Sequence, residues 1–226
     1  MEKERREFLK KGGAVVVGLA GLARVKVARA KSENKSWMMI IDLNRCTGCQ
    51  SCVIACKRQH RTFEGLFRTK IIIGEGENGS AGKATFTPTL CNHCEKPLCA
   101  KMCDDGAISA GSDGIVRVDP EKCQGAARCK SKGRCVEPCA IKAAELNGED
   151  GRMEKCSFCQ DRLGKGLMPA CVENCPSGAR IFGDENRPSK ELAEYLRLSE
   201  LSTPHGVRGG RVRYVALRGE KGGLGV

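Results

Sequence analysis

The chain has 226 residues, 16 cysteines and a formal net charge of +12, with only six Phe, two Tyr and one Trp. That length allows one domain or two small ones, and so few large rings exclude a core filled mainly by aromatics. The charge argues weakly for nucleic acid: residues 1–30 carry eight Lys/Arg and three Glu, the rest keeps +7, and no helix-turn-helix, RNA-recognition or zinc-finger pattern is present.

The N-terminal run RREFLKKGGAVVVGLAGLARVKVARA begins at Arg5-Arg6, followed by Phe8, Leu9 and Lys10. A short apolar stretch, Gly12 to Ala23, leads to Ala28-Arg29-Ala30. The stretch is short for a bilayer span, and its Ala-x-Ala ending reads as a cleavage site. RREFLK resembles the twin-arginine export signature closely; the plainer reading is a basic amphipathic helix. The resemblance implies export of an already folded protein to the periplasm, or to the outer face of the cytoplasmic membrane. No second apolar segment follows, so no membrane span is expected after removal of residues 1–30.

The strand signal WMMIIDL (37–43) runs into a first cysteine group, CTGCQSCVIAC, with Cys46, Cys49, Cys52 and Cys56. FRTKIIIGEG (67–76) and KATFTPTL (83–90) read as a strand pair joined by ENGSAG. Group two is CNHCEKPLCAKMC: Cys91, Cys94, Cys99 and Cys103. IVRVD (115–119) alternates its apolar residues and runs into group three, CQGAARCKSKGRCVEPC: Cys123, Cys129, Cys135 and Cys139. Group four is CSFCQDRLGKGLMPACVENC: Cys156, Cys159, Cys171 and Cys175. SKELAEYLRLSEL predicts a helix with Ser189 as N-cap, and GGRVRYVAL predicts a terminal strand.

Each group ends in C-x3-C, and the four groups use all sixteen cysteines. This is an internal repeat. Group one has the C-x2-C-x2-C-x3-C spacing of bacterial ferredoxins, in which three cysteines wrap one cubane and the fourth reaches another. Gly48 gives its loop the freedom for a close approach to the cluster. Two other readings stand beside this one. Structural zinc held by four cysteines uses two separated knuckles. Disulfides fit poorly, because C-x2-C-x2-C crowds its sulfurs into one turn. Thiolates on iron–sulfur clusters would add about −8 to the mature charge, leaving it near neutral.

The stretches RREFLK, IDLNRCTGCQSCVIACK, LCNHCEKPLC and KCSFCQDRLGKGLMPACVENCPSGARIFGD resemble the four-cluster iron–sulfur subunits of dimethyl-sulfoxide-reductase-family molybdopterin enzymes, most nearly those of tetrathionate and polysulfide reductases. The resemblance implies an α+β fold of two nested ferredoxin-like domains. The first takes residues 31–88 and 150–185. The second, 89–149, is inserted into it, and 186–226 form a tail with a helix and a strand. It implies four [4Fe–4S] clusters: Cys46, Cys49 and Cys52 with Cys175; Cys91, Cys94 and Cys99 with Cys139; Cys123, Cys129 and Cys135 with Cys103; and Cys156, Cys159 and Cys171 with Cys56. It further implies a non-catalytic electron carrier between a molybdopterin catalytic subunit and a membrane quinone-reactive subunit. Its rivals are a carrier for a tungsten aldehyde oxidoreductase or a hydrogenase, and a zinc-stabilised interaction protein.

The chain departs from the family pattern at several positions. Asp104 and Ala140 stand where the family usually has Pro, CKRQH replaces CK-x-E-N, and group three has longer loops. Four ligands on lengthened loops is the economical account of group three; a [3Fe–4S] cluster is the alternative. The basic residues Arg128, Lys130, Lys132 and Arg134 are expected near that cluster, where they would raise its potential. His93 reads as structural or as a neighbour of the ligands. His60 and His205 carry no signal. Lys155, Arg162, Lys165 and Arg180 could tune potentials, but charged residues such as these are more often solvated.

Overall fold

The computed structural model describes residues 34–75, 84–198, 201–204, 207 and 209–218. The leader, the ENGSAG turn and His205 lie outside the described residues. Within them the fold is α+β, with ten short strands and five short helices.

The frame is a four-stranded sheet in the order β8 (Arg180–Asp184), β1 (Trp37–Asp42), β10 (Val212–Val215), β9 (Leu201–Ser202). β1 is apolar at five of its six positions because both of its faces are covered. β8 runs antiparallel to it, setting Met39 opposite Phe182 and Ile41 opposite Arg180. β10 runs parallel, with Met39 opposite Val212.

On one face Met39, Ile41, Phe182, Val212 and Tyr214 pack with Leu90, Phe158 and the cysteines Cys52, Cys156 and Cys171. The few aromatics are concentrated here. Trp37 stacks on Phe182 at 5.3 Å, and Phe158 meets Phe182 edge-on at 5.2 Å. On the other face Met38, Ile40 and Ile181 meet Leu192 of α5 (Lys190–Leu196). Burial of a side chain such as Leu192 contributes about 1.5–3 kcal/mol. The expected Ser189 cap is present, its hydroxyl accepting the Leu192 N–H at 3.2 Å.

Three antiparallel hairpins complete the strands: β2 (Thr69–Glu75) with β3 (Ala84–Leu90), β4 (Ile108–Ala110) with β5 (Val116–Val118), and β6 (Ala144–Leu146) with β7 (Met153–Lys155). A second core joins Ile108, Val116, Ala144 and Met153 to Cys135, with Cys99, Cys103, Cys123 and Cys139 packed against it. The remaining helices sit at the cysteine groups. They are α1 (Ser51–His60), α2 (Leu98–Lys101), α3 (Gln160–Leu163) and α4 (Ala170–Glu173), with a 3-10 turn at Arg134–Val136. Among the described residues no helix is long and apolar enough to cross a membrane.

The helix signal in SKELAEYLRLSEL overruns the helix. α5 stops at Leu196, and Leu201 and Ser202 instead pair with Val215 and Tyr214 as an edge strand. An open edge on β10 satisfies more backbone groups there than another helical turn would.

Tyr214 is fully buried and its hydroxyl donates to the Pro88 carbonyl at 2.8 Å, tying the sheet to the β2–β3 hairpin. Tyr214→Phe leaves that carbonyl without its donor. The expected cost is about 1–3 kcal/mol, read as a lower midpoint in thermal unfolding followed by circular dichroism.

Candidate metal centres

All sixteen cysteines are free thiols, and nearly all are buried or half-buried. Cysteines of different groups come together. Cys46, Cys49, Cys52 and Cys175 line one recess, together with Pro176 and Arg180. Its cavity volume is small, about 20 Å³. Cys91, Cys94, Cys99 and Cys139 line a second, larger recess. Burial, then Cys91, pushes the Cys99 thiol up to about 11, with Cys139 and Cys94 adding to the effect. Burial, then Cys171 and Cys159, pushes Cys56 up to about 12. Cys156 is raised by burial, then by Cys171 and Cys56. Cys135 is pushed up to about 11 by burial, then by Cys103, Cys123 and Cys129.

The last cysteines of groups two, three and four sit in matching turns. The Sγ atoms of Cys103, Cys139 and Cys175 accept the N–H of Ala107, Ala143 and Ala179 at 3.3, 3.2 and 3.3 Å. In each turn the preceding residue is left-handed: Gly106 (φ +61°), Lys142 (+48°) and Gly178 (+60°). The N–H of that residue donates to the cysteine carbonyl. The turn therefore survives the loss of Pro at Asp104 and Ala140. Sulfur accepting an amide N–H is the environment a buried thiolate ligand requires.

Group three closes despite its longer loops. Lys130 N–H donates to Asp105 Oδ2 at 3.0 Å, Ala126 N–H to the Gly151 carbonyl at 2.9 Å, and Gly133 N–H to Cys129 Sγ at 3.4 Å. Arg128, Lys130, Lys132 and Arg134 are all exposed.

The solvated reading of the other basic residues fails at two positions. Arg180 is 3% exposed and Lys155 is 4% exposed. Lys155 Nζ donates to the Val116 and Cys156 carbonyls, and its charge offsets part of the rise that burial imposes on the Cys94 and Cys99 thiols. Arg162 is held by Glu173 and Gln59, whereas Lys165 is exposed.

His60 lies closer to the site than its sequence suggested. Its Nε2 is 3.1 Å from Cys159 Sγ, and burial, then Arg68, pushes its pKa down to about 4. Its neighbour Gln59 donates to Asp161 at 3.1 Å, so the CKRQH segment leans on group four.

Gly48 is left-handed at φ +69°, and a Cβ there would meet the Phe86 ring at 2.3 Å. The crowding at this glycine is therefore against β3.

The residues fit a sulfur-rich cluster. His93 is buried, and its Nδ1 accepts the Val116 N–H at 3.0 Å. The ring proton then belongs to Nε2, which has no partner among protein atoms. The ring lies 3.9 Å from that of Phe158, between Cys156 and Cys159 in sequence. A buried N–H of this kind suits an acceptor that is not protein. Among the described residues no three His, Cys, Asp or Glu are drawn together as around one metal ion; a cubane, with one thiolate per iron, holds its ligands wider apart.

Residues 83–185 match the family model for a 4Fe-4S dicluster domain, and residues 37–58 that for a 4Fe-4S binding domain. The chain is 38% identical to a subunit of the tetrathionate reductase of Salmonella typhimurium, over 87% of this chain and 80% of that protein. It is 35% identical to the thiosulfate reductase electron transfer subunit of Salmonella typhi, over 78% and 89%. It is 36% identical to a chain of the anaerobic dimethyl sulfoxide reductase of Escherichia coli, over 73% and 82%.

The matched turns generate a paired prediction. A left-handed L-residue costs about 1–2 kcal/mol, so Gly178→Ala should lower the thermal midpoint of the loaded protein. Lys142→Gly should raise it slightly, since part of the relief is offset by extra freedom in the unfolded chain. Differential scanning calorimetry of the two variants beside the parent checks both signs.

Proposed function

The protein belongs to the iron–sulfur subunits of dimethyl-sulfoxide-reductase-family molybdopterin enzymes, and on that premise we propose that it carries four [4Fe–4S] clusters as a relay between a molybdopterin catalytic subunit and a quinone-reactive membrane subunit. It is an electron-transfer subunit without catalysis of its own. The observation that carries the reading is that cysteines of different groups share a recess: Cys175 joins Cys46, Cys49 and Cys52 in one, and Cys139 joins Cys91, Cys94 and Cys99 in another.

The ligand sets we propose are Cys46, Cys49, Cys52 and Cys175; Cys156, Cys159, Cys171 and Cys56; Cys91, Cys94, Cys99 and Cys139; and Cys123, Cys129, Cys135 and Cys103. Four cysteines in the last set favour four irons there over three. Nesting is supported by strand pairing: β1, before group one, pairs with β8, after group four, while β4 and β5 join groups two and three. The proposed domains are 31–88 with 150–185, and 89–149 inserted, followed by the tail.

Bound, the clusters supply stepwise one-electron transfer. The chain's own residues keep the sulfurs from water, donate amide N–H groups to them, and set two buried cations among them. In this reading the sets follow one another. Arg180 acts on thiols of the first two sets, Cys91 acts on Cys156, Lys155 acts on the third, and the third and fourth share one small core. Cys49 is exposed at one end of this order. RREFLK supports twin-arginine export to the periplasmic side, where the protein would meet the membrane through its partner.

Iron and sulfide analysis of anaerobically purified protein should give about 16 Fe per molecule; about 15 would indicate a three-iron centre in the last set. A colourless, zinc-containing protein would overturn the relay. Changing Arg5 and Arg6 both to Lys should leave loaded protein in the cytoplasm, checked by fractionation and immunoblot. Unimpaired export of that variant would remove the proposed location.

A further inference from the structure

β8 begins at Arg180, and its alternation sends Arg180 and Phe182 to the same face as Met39 and Ile41. That face is covered by the cysteine-bearing loops, so the guanidinium is only 3% exposed. Nη2 donates to Thr69 Oγ1 at 2.9 Å and to Cys52 Sγ at 3.4 Å, and Nη1 approaches Met39 Sδ at 3.8 Å. Thr69 is fixed in turn, donating to the Thr89 carbonyl at 2.9 Å. Among the described residues Arg180 forms no ion pair with Asp or Glu.

An arginine cannot shed its proton to escape burial, and an unpaired buried charge is strongly disfavoured. Its compensation must come from the sulfurs. Burial works against its charge, but Cys171, Cys52, Tyr214 and Cys156 together outweigh that and its pKa is raised. Cys156 and Cys171 pack with Cys52 on this same face, and the charge offsets a small part of the rise that burial imposes on Cys46 and Cys56. Cys46 and Cys52 belong to one proposed set; Cys56, Cys156 and Cys171 belong to the next. One fixed cation is thus shared by two sets.

Resting on the four-cluster reading above, we propose that Arg180 is a positioning residue for electron transfer, whose single buried charge favours the reduced state of both clusters it adjoins. Each reduction adds one electron to a cluster beside the cation, and Arg180 neither gives nor takes a proton. Both potentials are thereby raised relative to an uncharged residue. The clusters of the Cys91 and Cys123 sets lie outside this contact and do not share the effect.

The test uses the full-length loaded protein, Arg180→Gln and Arg180→Lys, each with iron and sulfide analysis and a redox titration followed by electron paramagnetic resonance. In Arg180→Gln two of the four reduction equilibria should weaken at least tenfold, a shift of about 59 mV per electron, while the other two hold. Arg180→Lys keeps the charge, so its shift should be smaller. Four unmoved potentials in Arg180→Gln, four moving together, or equal shifts in Gln and Lys would each overturn the proposal. Loss of iron from Arg180→Gln alone overturns it in favour of an assembly role. A parent protein far short of about 16 Fe overturns the four-cluster reading instead, so the two can fail separately.

Discussion

Thiolates tolerate burial only where hydrogen-bond donors, cations or metals meet them. Nearly all of the sixteen thiols here are buried or half-buried, and burial, with neighbouring cysteines adding to it, drives Cys56 toward about 12 and Cys99, Cys135 and Cys159 toward about 11. The fold supplies the remedy locally. Three cysteines receive an amide N–H from four residues ahead, and the alanine in that place leaves the turn free of side-chain crowding. Arg180 and Lys155 supply the charge where donors run out. Without these groups the cores would hold neutral thiols and bind metal poorly, since ligation requires the thiolate.

The central sheet serves this chemistry by dividing its faces. Met38, Ile40 and Ile181 turn toward α5, while Met39, Ile41 and Phe182 turn toward the cysteines. A strand buried on both sides can then present an apolar floor to the first two sets and still be anchored from behind. The chain's one Trp and several of its other large rings gather around that floor. The second core has no such platform. It joins small strands to cysteines, so its order depends more heavily on whatever the sulfurs hold.

Much of this was legible in the sequence because its signals are local. Cysteine spacing, the apolar run 37–43, the alternation at 115–119 and the Ser189 cap each need only a few neighbouring residues. β4, β6 and β7 were missed because their three residues lie in no longer alternating run, whereas β5, just as short, sits within the alternating IVRVD. Arg180 and Lys155 read as solvated because charged side chains usually are. Their burial follows from what crosses over them, Cys52 and Thr69 in one case and Val116 in the other. His60 was invisible for the same reason: Cys159 lies ninety-nine residues away in sequence.

Group three joins two departures that look unrelated in sequence. Lengthening both loops by three residues costs little closure entropy, but the added backbone must find partners for its N–H and C=O groups. Asp105 provides one of them, accepting the Lys130 N–H at 3.0 Å. It stands one residue beyond Asp104. The Gly151 carbonyl provides another through Ala126, and position 125 must be glycine, since a Cβ there would meet the Asp150 carbonyl at 2.1 Å. The longer loop is therefore tied to the segment after group two and to the β6–β7 turn. Its basic side chains, freed from that task, face water. What the insertion changes is the anchoring of the sulfurs, while Cys103, Cys123 and Cys129 remain gathered about Cys135.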